Sequence, residues 1–185
     1  MKLTSPPFDT GSNINLIGMP GAGKSTVGVI LAKHLGFDFL DTDLLIQNGE
    51  GLRLAQIIEK QGIGGFRAVE ESYLLTVPRR SMVVATGGSV VYSEKVMRHL
   101  KSTGLVVFLD ITVKALRRRV GSLDARGVLR APDQTLDMIF DERHPLYQKY
   151  ADLVIQASEL TPAETMVQVR MALRDKMTGL DLTDR

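Results

Sequence analysis

Gly18-Met19-Pro20-Gly21-Ala22-Gly23-Lys24-Ser25 fits the pattern G-x-x-x-x-G-K-[ST]. A short, mostly apolar run precedes it at residues 14–17, and a helix-like stretch follows at 26–35. That strand–loop–helix setting is what gives the motif its meaning. Glycines let the backbone turn tightly, so that consecutive N–H groups point inward at a phosphate. The helix that follows adds the positive end of its dipole to the same spot. Backbone groups of Gly21, Ala22 and Gly23, with Lys24, Ser25 and Thr26 at the helix start, form the candidate nucleotide-phosphate site. Lys24 is placed to reach the outer phosphates and Ser25 to offer its hydroxyl to Mg²⁺.

The rest of the chain alternates β-like runs with longer amphipathic stretches. Strands are expected at 37–41, 82–86, 105–109 and 152–155. Helices are expected within 43–77 and at 93–102, 112–120 and 133–149, with a last one beginning at Thr161-Pro162. Strands apolar on both faces and separated by helices imply an α/β fold with a parallel sheet covered on two sides. In such sheets ligands bind beyond the carboxyl ends of the strands. The first strand ends in the phosphate loop, the second in Asp41-Thr42-Asp43 and the third in Thr86-Gly87-Gly88-Ser89.

Those strand ends carry residues suited to phosphate, metal and hydroxyl chemistry. Asp41 and Asp43, two residues apart, are placed so that one serves Mg²⁺ and the phosphates while the other meets an acceptor hydroxyl. Asp43 is equally suited to capping the next helix. Arg67 and Glu70 stand at i and i+3 of a helix and share a face, as a solvated pair or as part of a site. Arg143 is a second arginine in an amphipathic helix. Arginine is the usual planar partner for a carboxylate, and a solvated charge is the alternative. Arg117-Arg118-Arg119 lead into a polar, glycine-containing stretch at 121–132 that carries Arg126. A phosphoryl-transfer site needs positive groups that arrive on closure, and an arginine-bearing lid supplies them. Ser89, just before an expected helix, suits an N-cap. His34, His99 and His144 share no ligand spacing. Asp124 to Gly127 fit D-x-x-G, but no N-K-x-D guanine motif accompanies it, which argues against a GTPase.

Composition narrows the classes further. The 185 residues contain no cysteine, so disulfides, thiolate nucleophiles and cysteine metal sites are excluded. No apolar run approaches a membrane span, and residues 1–12 lack the apolar core of a signal peptide. A net charge of +2 is too small to argue for nucleic acid. A cytoplasmic enzyme without membrane or nucleic-acid partners is expected. It is read as a single domain over 13–177, with a helical substrate-binding region at about 43–78, a lid at about 121–132, and tails at 1–12 and 178–185. No heptad run argues for a dimer, so a monomer is expected.

Taken together, the motifs resemble the shikimate kinase family over residues 13–175. The resemblance rests on residues 18–25, Asp41-Thr42-Asp43, Phe66-Arg67 with Glu70, Ala85-Thr86-Gly87-Gly88, Arg126, and Arg143 before Pro145-Leu146-Tyr147. It implies a P-loop kinase fold like that of the nucleoside monophosphate kinases, with a five-stranded parallel sheet and a lid. The implied activity is ATP-dependent phosphorylation of shikimate to shikimate 3-phosphate, in aromatic amino-acid biosynthesis. The implied roles are Asp41 for Mg²⁺ through water, Asp43 as candidate base on a ring hydroxyl, and Arg67 with Arg143 as a clamp on the acid's carboxylate. Gly87 and Gly88 would approach the acceptor, Arg126 the transferred phosphate, and Arg119 and Pro162 the adenine. The chain departs from the family pattern at Ser89, where a third glycine is usual, and at Ile63 and Gln47, where glutamate is. It departs again at Arg126-Gly127-Val128, where Arg-Pro-Leu is usual. A kinase for another hydroxy acid such as gluconate or homoserine, or a non-catalytic nucleotide-binding domain, are the alternatives.

Overall fold

A computed structural model describes residues 11–119, 129–131 and 133–178. Five strands form one sheet: β1 Asn13–Ile17, β2 Asp38–Asp41, β3 Met82–Ala85, β4 Gly104–Asp110 and β5 Leu153–Gln156. Their order is β2-β3-β1-β4-β5, and every pairing is parallel. This matches the expected five-stranded parallel sheet. It also puts β1, with the loop that follows it, at the centre, between β3 and β4.

Among the described residues seven α-helices connect and follow the strands: α1 Lys24–Leu35, α2 Thr42–Glu50, α3 Leu54–Leu74, α4 Glu94–Thr103, α5 Val113–Arg119, α6 Leu136–Tyr150 and α7 Pro162–Thr178. Alternation along β1 shows the two covered faces. Leu16 lies beneath α1, where a side chain at Gly28 would run into Leu16 and Phe39. Its neighbour Asn15 points the other way and donates to the carbonyl of Leu100 in α4, 2.9 Å away. The strands supply much of the core, with Leu16, Ile17, Val83, Val106, Val107 and Leu109 almost wholly buried.

The differences from the expected boundaries have local causes. β1 starts at Asn13, one residue earlier, although Asn13 is polar and buried. Its side chain is satisfied by donating to Pro78 O and accepting from the Arg80 N–H. The stretch expected to be helical over 43–77 is α2 and α3, divided at Gly51, and α3 is itself broken at Gly62, whose φ of 69° no helix allows. The helix expected from 93 is preceded by a 3-10 turn, Val90–Tyr92. α6 starts at Leu136 rather than 133, capped by the hydroxyl of Thr135. α7 runs to Thr178, one residue into the expected tail. Most of the expected lid, Arg126 and the D-x-x-G match lie outside the described residues.

Candidate active site

The loop after β1 takes the shape its glycines permit. Gly21 and Gly23 have φ of 86° and 98°, values that a side chain strongly disfavours. Lys24, the first residue of α1, is 7% exposed, and its Nζ donates to the carbonyls of Gly18 and Met19 at 2.8 and 2.9 Å. Burial lowers its pKa to about 8, against the opposing pull of the Asp43 and Asp41 carboxylates. Ser25 and Thr26 are exposed on the wall of a cavity of about 480 Å³, which the loop shares with Asp43, Gly87, Gly88 and Arg143.

The two aspartates divide their work otherwise than Asp43's capping alternative supposed. Asp41 caps α2: its Oδ1 accepts from the N–H groups of Asp43 and Leu44 at 3.0 and 3.2 Å. Asp43 is thereby left to face the cavity. Burial, with the nearby Asp41 charge, raises its pKa to about 6, while Lys24 draws it down. Ser25 and Asp41 are hard oxygen donors of the kind Mg²⁺ takes. Asp41 Oδ2 has no hydrogen-bond partner among the described residues, so the pair fits that ion. Among the described residues no three acidic, His or Cys side chains form a self-sufficient metal site. Mg²⁺ requires none, because it keeps waters and phosphate oxygens.

The loop after β3 is fixed from both sides. The Gly87 N–H donates to Thr42 Oγ1 at 3.1 Å, and the Tyr147 hydroxyl donates to Gly88 O at 2.6 Å. Gly87 has no room for a side chain. A Cβ there would lie 2.7 Å from Glu70 Oε1 and 2.8 Å from Asp43 Oδ1. Two carboxyl groups therefore flank one glycine. Ser89 stands at the start of the 3-10 turn, but its side chain makes no capping hydrogen bond. It is 5% exposed and its hydroxyl donates to Glu70 Oε1 at 2.8 Å, while Ser93 caps α4 instead. Glu70 is 4% exposed, and burial raises its pKa to about 7, against the Ser89 hydrogen bond and the charges of Arg143 and Arg67.

The arginines separate by environment. Arg143 is 1% exposed, so its solvated alternative is overturned. Its Nε donates to the Tyr92 hydroxyl at 3.1 Å and its Nη2 to Leu129 O. Arg67 is exposed and stacks over the Tyr92 ring at 4.2 Å, with Arg143 5.3 Å from the same ring. The two are thus brought together on one tyrosine. Arg67 borders an adjoining cavity of about 280 Å³ that meets the larger one at Ser89. Of the arginine triplet, Arg117 and Arg118 make surface pairs with Asp137 and Glu159. Arg119 reaches the large cavity and donates to the carbonyls of Ala157, Ser158 and Leu160. Pro162 opens α7 just after those carbonyls and does not line the cavity. The histidines make separate contacts: His34 with Arg170, His99 with Val77 O, and His144 with Asp110.

Sequence reasoning left out Tyr92, Thr42 and Tyr147 as parts of the site. Tyr147 carried a signal, because it stands four residues after Arg143 and shares its face of α6. Tyr92 lies on a 3-10 turn and has no periodic pattern to mark it. Glu70 was noted only as a partner for Arg67; its burial is a tertiary fact.

A phosphate loop at the centre of a parallel sheet, with a carboxylate and an arginine facing it across one cavity, defines a P-loop kinase for a small acid. The family model for shikimate kinase matches residues 20–174, and the chain belongs to the shikimate kinase family. It is 36% identical to the shikimate kinase of Thermodesulfovibrio yellowstonii, over 85% of this chain and 92% of the relative. It is 35% identical to that of Haemophilus influenzae strain PittEE, over 92% and 97%. The structure resembles that of the Acinetobacter baumannii shikimate kinase in complex with shikimate, with a TM-score of 0.81 and 31% identity, over 97% of this chain and all of that one. A gluconokinase from Sinorhizobium meliloti aligns at a TM-score of 0.50 with 16% identity, over 95% and 99%, which shows a shared fold alone.

Proposed function

We propose that this chain transfers the terminal phosphoryl group of ATP to the 3-hydroxyl of shikimate. The observation that carries the reading is the buried Arg143 on the same cavity as Lys24, Asp43 and the Gly87-Gly88 backbone. Glu70 is one carboxylate facing two guanidinium groups, Arg143 and Arg67, and an acid whose hydroxyl is to be phosphorylated brings a second. With its carboxylate on Arg143 and Arg67, the acid's ring lies along Gly87 and Gly88, and a ring hydroxyl meets Asp43. Asp43 accepts that hydroxyl's hydrogen bond and takes its proton as the oxygen bonds to the γ-phosphorus. The bond from the γ-phosphorus to the bridging oxygen breaks, and ADP leaves with those electrons. The backbone N–H groups of residues 21–26 hold the phosphates, and Lys24 leaves the loop carbonyls to neutralise charge on them.

Ser25 and, through water, Asp41 would hold Mg²⁺, which neutralises the phosphates. Arg126 is assigned by its sequence position to the transferred group, and Arg119 and Pro162 to the side of the adenine. In the same reading the chain works as a cytoplasmic monomer. Among the described residues no helix is long and apolar enough to cross a membrane.

The purified chain is tested by coupled ADP release with ATP and a panel of shikimate, gluconate and homoserine. ADP release with shikimate alone is expected. Release with another acid, or with none, overturns the assignment.

A further inference from the structure

The Ser89 hydroxyl donates to the buried Glu70 carboxylate at 2.8 Å, at a place that lines both cavities. We propose that Ser89 is a positioning residue for the acceptor. By donating to Glu70 it pins that carboxylate against Gly87, in the orientation that keeps Arg67 and Arg143 converged on the acid's carboxylate. The inference rests on the acceptor reading above.

Three observations support it. First, two guanidinium groups share the Tyr92 ring, at 4.2 and 5.3 Å. Like charges gathered so closely need a negative group beside them, and Glu70 interacts electrostatically with both. Second, the place of Glu70 is narrow. Its Oε1 lies 2.7 Å from where a Gly87 Cβ would be, across from Asp43 Oδ1 at 2.8 Å, and the Ser89 hydroxyl is its hydrogen-bond partner at 2.8 Å. Third, Ser89 borders both cavities, so this hydrogen bond stands in the wall between the Arg143 side and the Arg67 side.

The arrangement works only while Glu70 is ionised. A carboxylate accepts from Ser89 and balances the arginines; a protonated carboxyl does neither as well. Among the described residues, the charged and titratable groups acting on or beside Glu70 are Arg67 on its own helix, Asp43 from α2, Arg143 and Tyr147 from α6, and Tyr92 of the 3-10 turn, which lines the smaller cavity with it. Among these, Asp43 opposes ionisation, while the hydroxyl of Ser89 and the two arginines favour it.

Two measurements test the proposal on the full chain, with Ser89→Ala and Ser89→Gly compared with the unsubstituted protein. The Glu70 side-chain carboxyl ¹³C signal, assigned by its loss in Glu70→Gln, is titrated without ligands. It is expected to titrate near 7 in the unsubstituted protein and higher by about half a pH unit or more in both variants. In steady-state assays with ATP, the KM for shikimate is expected to rise about tenfold in both variants at pH 7, with the KM for ATP unchanged. The acid limb of kcat/KM for shikimate should move up in pH with Glu70. Ser89→Thr, which keeps the hydroxyl, should restore both. An unmoved Glu70 titration overturns the proposal. So does a moved titration with an unmoved KM for the acid, or an equal rise in both KM values, which would mark a merely structural role. Failure of the unsubstituted chain to use shikimate would sink the acceptor assignment instead. The same KM ratio is then read on whichever acid of the panel is phosphorylated, while the carboxyl titration stands unaffected.

Discussion

Lys24 and the arginine pair carry different loads, and substitution separates them. Among the described residues Lys24 Nζ donates to two loop carbonyls, so Lys24→Ala removes little packing but deletes the charge proposed to meet the phosphates. Its kcat is expected to fall at least a thousandfold, about 4 kcal/mol of transition-state stabilisation, with a melting temperature within a few degrees of the unsubstituted protein. Turnover near that of the unsubstituted chain would sink the phosphate-loop role. Arg67 is exposed and Arg143 is buried with hydrogen bonds to Tyr92 and Leu129. Lysine at either position keeps the charge and loses the planar two-point contact. Both Arg67→Lys and Arg143→Lys should therefore raise KM for the acid far more than KM for ATP. Only Arg143→Lys should also lower thermal stability, since it leaves Leu129 O and the Tyr92 hydroxyl without their buried donor. Equal effects on both substrates would instead favour a packing role. Sequence placed these arginines in the acceptor site by their motif, but not their difference in depth, because burial depends on helices that meet from distant parts of the chain.

At the scale of elements, a single cap sets where the Asp43 carboxylate points. Asp41 ends β2 and holds the first N–H groups of α2, so the turn between strand and helix presents Asp43 to the cavity. Capping and metal binding by Asp41 are separable. Asparagine caps nearly as well as aspartate but brings no charge to Mg²⁺. Asp41→Asn is expected to keep the melting temperature and to raise the Mg²⁺ concentration needed for half-maximal activity. Asp41→Ala should in addition cost about 1 kcal/mol of stability. An unchanged Mg²⁺ requirement in Asp41→Asn would leave Asp41 with the cap alone. The element pattern was largely legible: the expected runs became five parallel strands, most clearly β3 and β4, whose buried places in the sheet need apolar side chains on both faces, while the edge strands β2 and β5 are partly exposed. The misses lie where local chemistry outweighs pattern. Asn13 extends β1 because backbone groups of Pro78 and Arg80 satisfy its amide. Ser89 missed its expected cap because its hydroxyl is oriented by donating to the buried Glu70 carboxyl 2.8 Å away and its oxygen accepts from no N–H of the 3-10 turn, while Ser93 caps α4.

For the whole molecule, the proposed acceptor site is a place where function is set against stability. Glu70 has its pKa raised from the usual 4.5 to about 7, chiefly by burial. Between those values the folded chain holds a proton on Glu70 that the unfolded chain has released. Folding then takes up a proton, so stability falls as pH rises through that window. Above about 7 both states are ionised and the full cost is borne. A shift of this size corresponds to about 3 kcal/mol at most, and with Glu70 4% exposed little of it is screened. Glu70→Gln removes the titration and keeps an oxygen for the Ser89 hydroxyl to reach. Its melting temperature should differ little from that of the unsubstituted protein at pH 5 and exceed it by several degrees at pH 8. Its KM for shikimate at pH 8 should be higher, because the arginines lose the charge that draws them together. Thermal melts across pH 5 to 8, run beside acid-dependence assays of both proteins, measure the two effects on the same samples. A melting difference that does not grow with pH would mean that Glu70 is ionised at little cost, and the destabilising role assigned to its burial would fall.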